Sequence, residues 1–260
     1  MSGAGEAGRS TARAGEPSSG GFDDPRQVRR VQAATDASWD PRVWPYTLAP
    51  VAQLLRDGLE LAPGVTFLVG ENGSGKSTLV EAIAEAAGLN PEGGSPNALH
   101  ATRRTESPLG SQLSLVRSRF ARRWGYFLRA ETMHGLYTYL ESIDDGSGQR
   151  LHEMSHGESF LEVLTERFDQ TGFYVMDEPE AALSFTSCLA LVELLARLTA
   201  AGAQVVCATH SPLLTALPGA TILELGEDGF APAVWEELAI VQHWRGYLAD
   251  PRRYLRHVLD

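Results

Sequence analysis

Nine consecutive residues of this chain, Gly70-Glu71-Asn72-Gly73-Ser74-Gly75-Lys76-Ser77-Thr78, fit the pattern G-x-x-x-x-G-K-[ST] in full. The chemistry of the pattern is anion binding. Gly70, Gly73 and Gly75 let the backbone curl tightly enough for successive N–H groups to point inward at phosphate oxygens. A helix starting near Lys76 adds its N-terminal dipole to that cradle. Lys76 reaches for the β- and γ-phosphates of a nucleoside triphosphate, and the Ser77 hydroxyl is a ligand for Mg²⁺.

A second cluster, Phe173-Tyr174-Val175-Met176-Asp177-Glu178, is four apolar residues closed by two carboxylates. Side chains alternate along a strand, so adjacent acids face different ways. Asp177 suits the metal, directly or through water, and Glu178 suits a proton taken from an attacking water. Ala208-Thr209-His210-Ser211 places a histidine at the end of another apolar run, 32 residues after Glu178. There His210 could hydrogen-bond a γ-phosphate and the water. Ser155-His156-Gly157-Glu158 has two compatible readings. It is a capping box, with Ser155 as N-cap and Glu158 at the third helical position, and it is an anion site built from Ser155, the Gly157 backbone and a helix dipole. The capping box alone gives no reason for Gly157.

These residues need elements to hold them. Val65 to Val69 reads as a buried strand and Leu79 to Ala87 as a helix ended by Gly88, which makes the loop a strand-to-helix connection. Phe173–Met176 and Gln204–Ala208 read as further buried strands. Helices are expected over 157–168 and 183–200, the latter with apolar residues at 185, 188, 191, 192, 195 and 198. Thr221–Leu225 and Ala231–Trp235 predict a hairpin across Gly226-Glu227-Asp228-Gly229. The tail from Leu238 to Leu259 reads as helix interrupted at Asp250-Pro251. Leu113–Leu128 is either two strands or a helix and a strand. Trp39, Trp44 and Tyr46 are expected to dock the segment from Gln27 to Pro50 on the domain.

At 260 residues the chain suits one α/β domain with elaborations. Residues 1–21, rich in Gly, Ala, Ser and Glu, predict a disordered tail, 22–260 the domain, and about 90–170 an inserted arm or helical subdomain. The net charge of −11 argues against a general nucleic-acid coat. The charge is uneven, however. Between His100 and Ala130 stand seven arginines (Arg103, Arg104, Arg117, Arg119, Arg122, Arg123 and Arg129) against one acid, Glu106, a local +6 that leaves −17 elsewhere. That stretch either contacts nucleic-acid phosphates or pairs with the chain's own acids. Cys188 and Cys207 lie in apolar contexts and read as core thiols. There is no apolar run of transmembrane length and no apolar signal-peptide core, so a cytoplasmic protein is expected.

Taken in order, the phosphate loop, Ser155–Glu158, Asp177-Glu178-Pro179-Glu180-Ala181-Ala182-Leu183 and Ala208-Thr209-His210-Ser211 resemble the ABC-type ATPases over roughly Trp44 to Asp260. They are most similar to the small soluble AAA-family ATPases of the SMC and RecF neighbourhood. The resemblance implies a P-loop NTPase fold, ATP and Mg²⁺ as ligands, and ATP hydrolysis. It also implies a homodimer formed on ATP, in which Ser155, His156, Gly157 and Glu158 complete the partner's site. Leu183 falls on the D-loop, and His210 matches the switch histidine. Two departures stand out. His156 replaces a glycine, and the Mg-sensing glutamine has no evident counterpart, with Arg129, Glu131 or Gln112 as replacements. The resemblance leaves two uses for the ATP: a dimerisation switch in a nucleic-acid transaction such as repair or defence, or service as the nucleotide-binding subunit of a membrane transporter.

Overall fold

A computed structural model of the chain describes residues 24–90, 107–119, 121–122, 124–129, 171–181 and 183–259. The expectations for 1–21, for the helix over 157–168 and for most of the 90–170 insertion lie outside the described residues.

Two sheets share one core. The smaller is antiparallel and is made of β1 (Val28–Ala33), β2 (Leu59–Glu60) and β4 (Leu113–Arg117) in the order β2-β1-β4. The larger contains β3 (Val65–Gly70), β5 (Gly125–Arg129), β6 (Phe173–Asp177), β7 (Gln204–Ala208), β8 (Thr221–Gly226) and β9 (Gly229–Pro232). Its order is β5-β6-β7-β3-β8-β9, parallel throughout except for the β8–β9 pair. It is therefore a mixed, mostly parallel sheet with helices on both faces, and the architecture is α/β.

The central strands read as continuous apolar runs because both of their faces are covered. Alternation sorts their side chains. Leu68, Phe127, Val175 and Val206 enter one core with α1 (Ala49–Asp57), α2 (Lys76–Ala86) and the antiparallel sheet. Phe67, Leu128, Met176 and Cys207 enter the other core, with α3 (Phe185–Ala200) and α4 (Ala239–Ala249). Gln204 joins the two sheets. Its Oε1 accepts from Gln27 N at 2.9 Å and Val28 N at 2.8 Å, and its Nε2 donates to Val28 O at 2.9 Å and Ala62 O at 2.8 Å. All four polar positions of this buried amide are satisfied.

Several expectations shift in detail. Leu113–Leu128 holds two strands, and they belong to different sheets. The helix predicted from Leu183 starts at Phe185, after Ser184 caps it by accepting from Ser187 N at 3.2 Å. Phe185 is 66% exposed, while Leu194 joins Cys188, Leu191, Leu195 and Leu198 in the core. The hairpin turn is tighter than predicted, because Gly226 already pairs with Gly229. Of the three aromatics expected to dock, Tyr46 is buried, but Trp39 and Trp44 are 36% and 48% exposed. The tail breaks where predicted. Asp250, held extended ahead of Pro251, separates α4 from α5 (Pro251–Leu259).

Candidate phosphate site

The parallel register brings the acid and histidine segments to one end of the large sheet. Arg129 pairs with Asp177, Asp177 with Ala208, and Ala208 with Leu68, two residues before the phosphate loop begins. Ligands of open α/β sheets bind at this carboxyl edge. Beyond the strand ends the backbone is cross-tied, as Glu178 N donates to Ala208 O at 2.9 Å and Thr209 N to Leu68 O at 3.1 Å.

The loop itself needs its glycines. Gly73 and Gly75 have φ of 82° and 95°, in the left-handed region. At Gly70 a Cβ would lie 2.6 Å from Leu225 O and 2.8 Å from Ser74 Oγ. No side chain caps the N-terminus of α2, so its first N–H groups stay open to an anion. Lys76 is 4% exposed, and its Nζ folds back to donate to Glu71 O at 2.9 Å. Burial lowers its pKa, against the opposing charges of Glu178, Asp177 and Glu180.

Ser77 and Asp177, 100 residues apart, meet directly: the serine hydroxyl donates to Asp177 Oδ1 at 3.0 Å. Asp177 is 6% exposed, and burial pushes its pKa up to about 6, despite the Ser77 hydrogen bond and the Arg129 charge. Two hard oxygens at hydrogen-bond separation form a donor set that suits Mg²⁺. Among the described residues no group of three or more His, Cys, Asp or Glu could hold a metal. A cation here would need phosphate oxygens and water to complete its shell.

Glu178 has a φ of 47°, an uncommon value for a residue other than glycine. His210 Nε2 lies 3.4 Å from its Oε1, in contact but with no hydrogen bond made by Nε2. Arg129 stands at the expected strand end, with its guanidinium paired to Glu81 of α2 at 2.6 Å. Gln112 is elsewhere, accepting from Ser38 N at 2.7 Å beside the antiparallel sheet. It is not at this edge. Ser155, His156, Gly157, Glu158 and Glu131 lie outside the described residues. In the basic segment Arg117 donates to Ala87 O at 3.0 Å, so it and Arg129 are engaged within the domain.

One residue at the site carried no role in the sequence reading. Glu180 Oε1 accepts from Thr209 Oγ1 at 2.6 Å and from His210 N at 2.7 Å. Burial raises its pKa, with the Thr209 hydrogen bond opposing. The signal was present as a third acid in Asp177-Glu178-Pro179-Glu180, but its target is set by packing. A cavity of about 500 Å³ flanks the loop between the β8–β9 hairpin and α4. It shares Gly70, Glu71 and His210 with the phosphate site, while Phe230, Ile240 and His243 line its far side.

Strand, glycine loop, uncapped helix and a metal-suited Ser–Asp pair together define a P-loop ATPase domain. Family comparison agrees in two separate stretches. The family described as "AAA domain, putative AbiEii toxin, Type IV TA system" matches residues 138–216, and one described as "AAA domain" matches residues 55–118. Two stretches of the chain are thus similar to AAA-type P-loop ATPase domains. No curated protein matches it. Similar solved structures include the SMC head domain from Thermotoga maritima (12% identity, TM-score 0.43, covering 80% of this chain and 98% of that one). Another is an SMC head bound to the C-terminal winged-helix domain of ScpA (14% identity, TM-score 0.44, 68% and 92%). A third is "a putative metal-chelate type ABC transporter" in an inward-facing conformation (15% identity, TM-score 0.42, 70% and 76%). Among the described residues no helix is long and apolar enough to cross a membrane.

Proposed function

We propose that this chain binds ATP with Mg²⁺, hydrolyses it, and uses the bound triphosphate to join two copies of itself. The Ser77–Asp177 contact carries the reading, because it sets a metal-suited oxygen pair beside Lys76 and the open N-terminus of α2. Backbone N–H groups from Glu71 to Lys76 would wrap the phosphates, with Lys76 released from Glu71 O to reach them. Ser77 and Asp177 would hold Mg²⁺, whose bound charge neutralises the phosphate oxygens. Glu178 orients a water and accepts its proton, and His210 contacts Glu178 from the neighbouring strand end. In the resemblance drawn from the sequence, Ser155, His156, Gly157 and Glu158 of a second copy cover the γ-phosphate. Loss of that phosphate then releases the pair.

The test is Glu178→Gln, which keeps shape and removes the base. Hydrolysis should fall by roughly 10² or more, and sizing chromatography with ATP should show an accumulated dimer. A variant that hydrolyses like the parent would remove Glu178 from the role. A wild-type protein that turns over ATP while remaining monomeric would remove the two-copy site.

A further inference from the structure

Three carboxylates stand within four residues, at Asp177, Glu178 and Glu180, and the third faces away from the metal pair. Both hydrogen bonds of Glu180 Oε1 run to the His210 loop, one to the Thr209 hydroxyl at 2.6 Å and one to the His210 amide at 2.7 Å. Thr209 Oγ1 also accepts from Ser211 N at 2.9 Å, which directs its own proton to Glu180. Oε2 is buried and makes no hydrogen bond among the described residues. The carboxyl group therefore spends itself on one neighbour, the backbone that presents His210.

The other end of Glu180 belongs to an exposed turn. Ala181 N donates to Glu178 O at 3.0 Å, and Leu183 N donates to Glu180 O at 2.9 Å. Ala181 and Ser184 are exposed, and Phe185 is 66% exposed, so this turn faces the surface. Glu178 and Glu180 are thus tied by their carbonyls to the same exposed turn. By their side chains they meet the same histidine, one at its ring and one at its amide.

We propose that Glu180 is a positioning residue, which fixes His210 against Glu178 by holding the backbone that presents the histidine. This rests on the hydrolysis reading above, in which Glu178 takes the proton of the attacking water and His210 contacts Glu178. Glu180 touches neither phosphate nor metal in this role, so it should act on turnover and leave nucleotide affinity alone.

Two variants and two readouts test the idea. Glu180→Ala removes the acceptor, and Glu180→Gln keeps a carbonyl where Oε1 stands. In Glu180→Ala the His210 amide should lose its hydrogen-exchange protection, and kcat should fall roughly tenfold to a hundredfold with ATP Kd unchanged. Glu180→Gln should recover most of both. In a His210→Ala background Glu180→Ala should cost little more, because the two act as one unit. Equal losses in both backgrounds would overturn the proposal, as would an unprotected His210 amide in the parent. Should Glu180→Ala fail to fold, Glu180→Asp retracts the acceptor by one methylene at the same charge. It should lower kcat without changing Kd, and an unaltered kcat would again overturn the proposal. The exchange readout needs no nucleotide. Protection that follows Glu180 in a protein that does not hydrolyse ATP would therefore sink the hydrolysis reading while upholding the positioning.

Discussion

Asp177→Asn should make the metal-free protein more stable, and the gain should depend on pH. The carboxyl is 6% exposed, and burial raises its pKa from 3.8 to about 6. Between those two values the folded chain holds a proton that the unfolded chain has released. Stability from that proton is complete below pH 3.8 and is lost as pH rises through 6. At about 1.36 kcal/mol for each tenfold, the native state above pH 7 bears about 3 kcal/mol for keeping this carboxylate charged. Asparagine is neutral at every pH, and its carbonyl still accepts the Ser77 hydroxyl. Urea unfolding in EDTA should therefore show the variant about 3 kcal/mol more stable at pH 8 and about half that at pH 5. Saturating Mg²⁺ and ATP should act the other way, since the cation needs the charge. At a hundredfold excess over Kd the ligand stabilises the parent by about 2.7 kcal/mol, and the variant, binding weakly, should gain little. A variant no more stable than the parent at pH 8 without metal would refute the reasoning, because the burial cost would then have been relieved elsewhere.

Lys76→Ala removes the one cation within the loop, and nucleotide affinity measured by calorimetry should fall at least about tenfold; unchanged affinity would remove the loop from binding. Gln204→Ala strands two backbone N–H and two C=O groups between the sheets. It should lower unfolding free energy by about 3 kcal/mol or more in urea titrations, with ATP affinity in the surviving folded fraction unchanged.

Local chemistry made part of this fold legible. Val65–Gly70, Phe173–Asp177 and Gln204–Ala208 declared themselves as strands because residues covered on both faces must be apolar at every position. Gly70–Thr78 declared itself because backbone curvature and an adjacent lysine serve one ligand. The antiparallel sheet did not. In Val28-Arg29-Arg30-Val31-Gln32-Ala33 the buried Val28 and Val31 are three residues apart, because a bulge breaks the alternation, and the strand is made by pairing with Leu59–Glu60 and with the distant Leu113–Arg117. Gln204 reads as the polar start of an apolar run, and nothing local says that four backbone groups at Gln27, Val28 and Ala62 await it.

The acidic run shows why motif spacing is not sufficient to assign roles. Simple alternation from Asp177 would put Glu178 on the opposite face of β6, away from the phosphate edge. The strand ends at Asp177, however, and Glu178 turns to a φ of 47° with its N–H fixed to Ala208 O. That turn brings its carboxylate to His210 and, with Pro179 buried behind it, sends Glu180 under the histidine loop. Three carboxyl groups thus acquire three surroundings: a buried hydrogen bond with Ser77, a half-exposed contact with an imidazole, and a carboxyl spent on the Thr209 hydroxyl and the His210 amide. A left-handed backbone in a residue other than glycine costs on the order of 1 kcal/mol. Glu178→Gly should relieve that strain and raise stability in urea titrations by about 1 kcal/mol while abolishing the hydrolysis proposed for Glu178, and a glycine variant less stable than the parent would refute the strain.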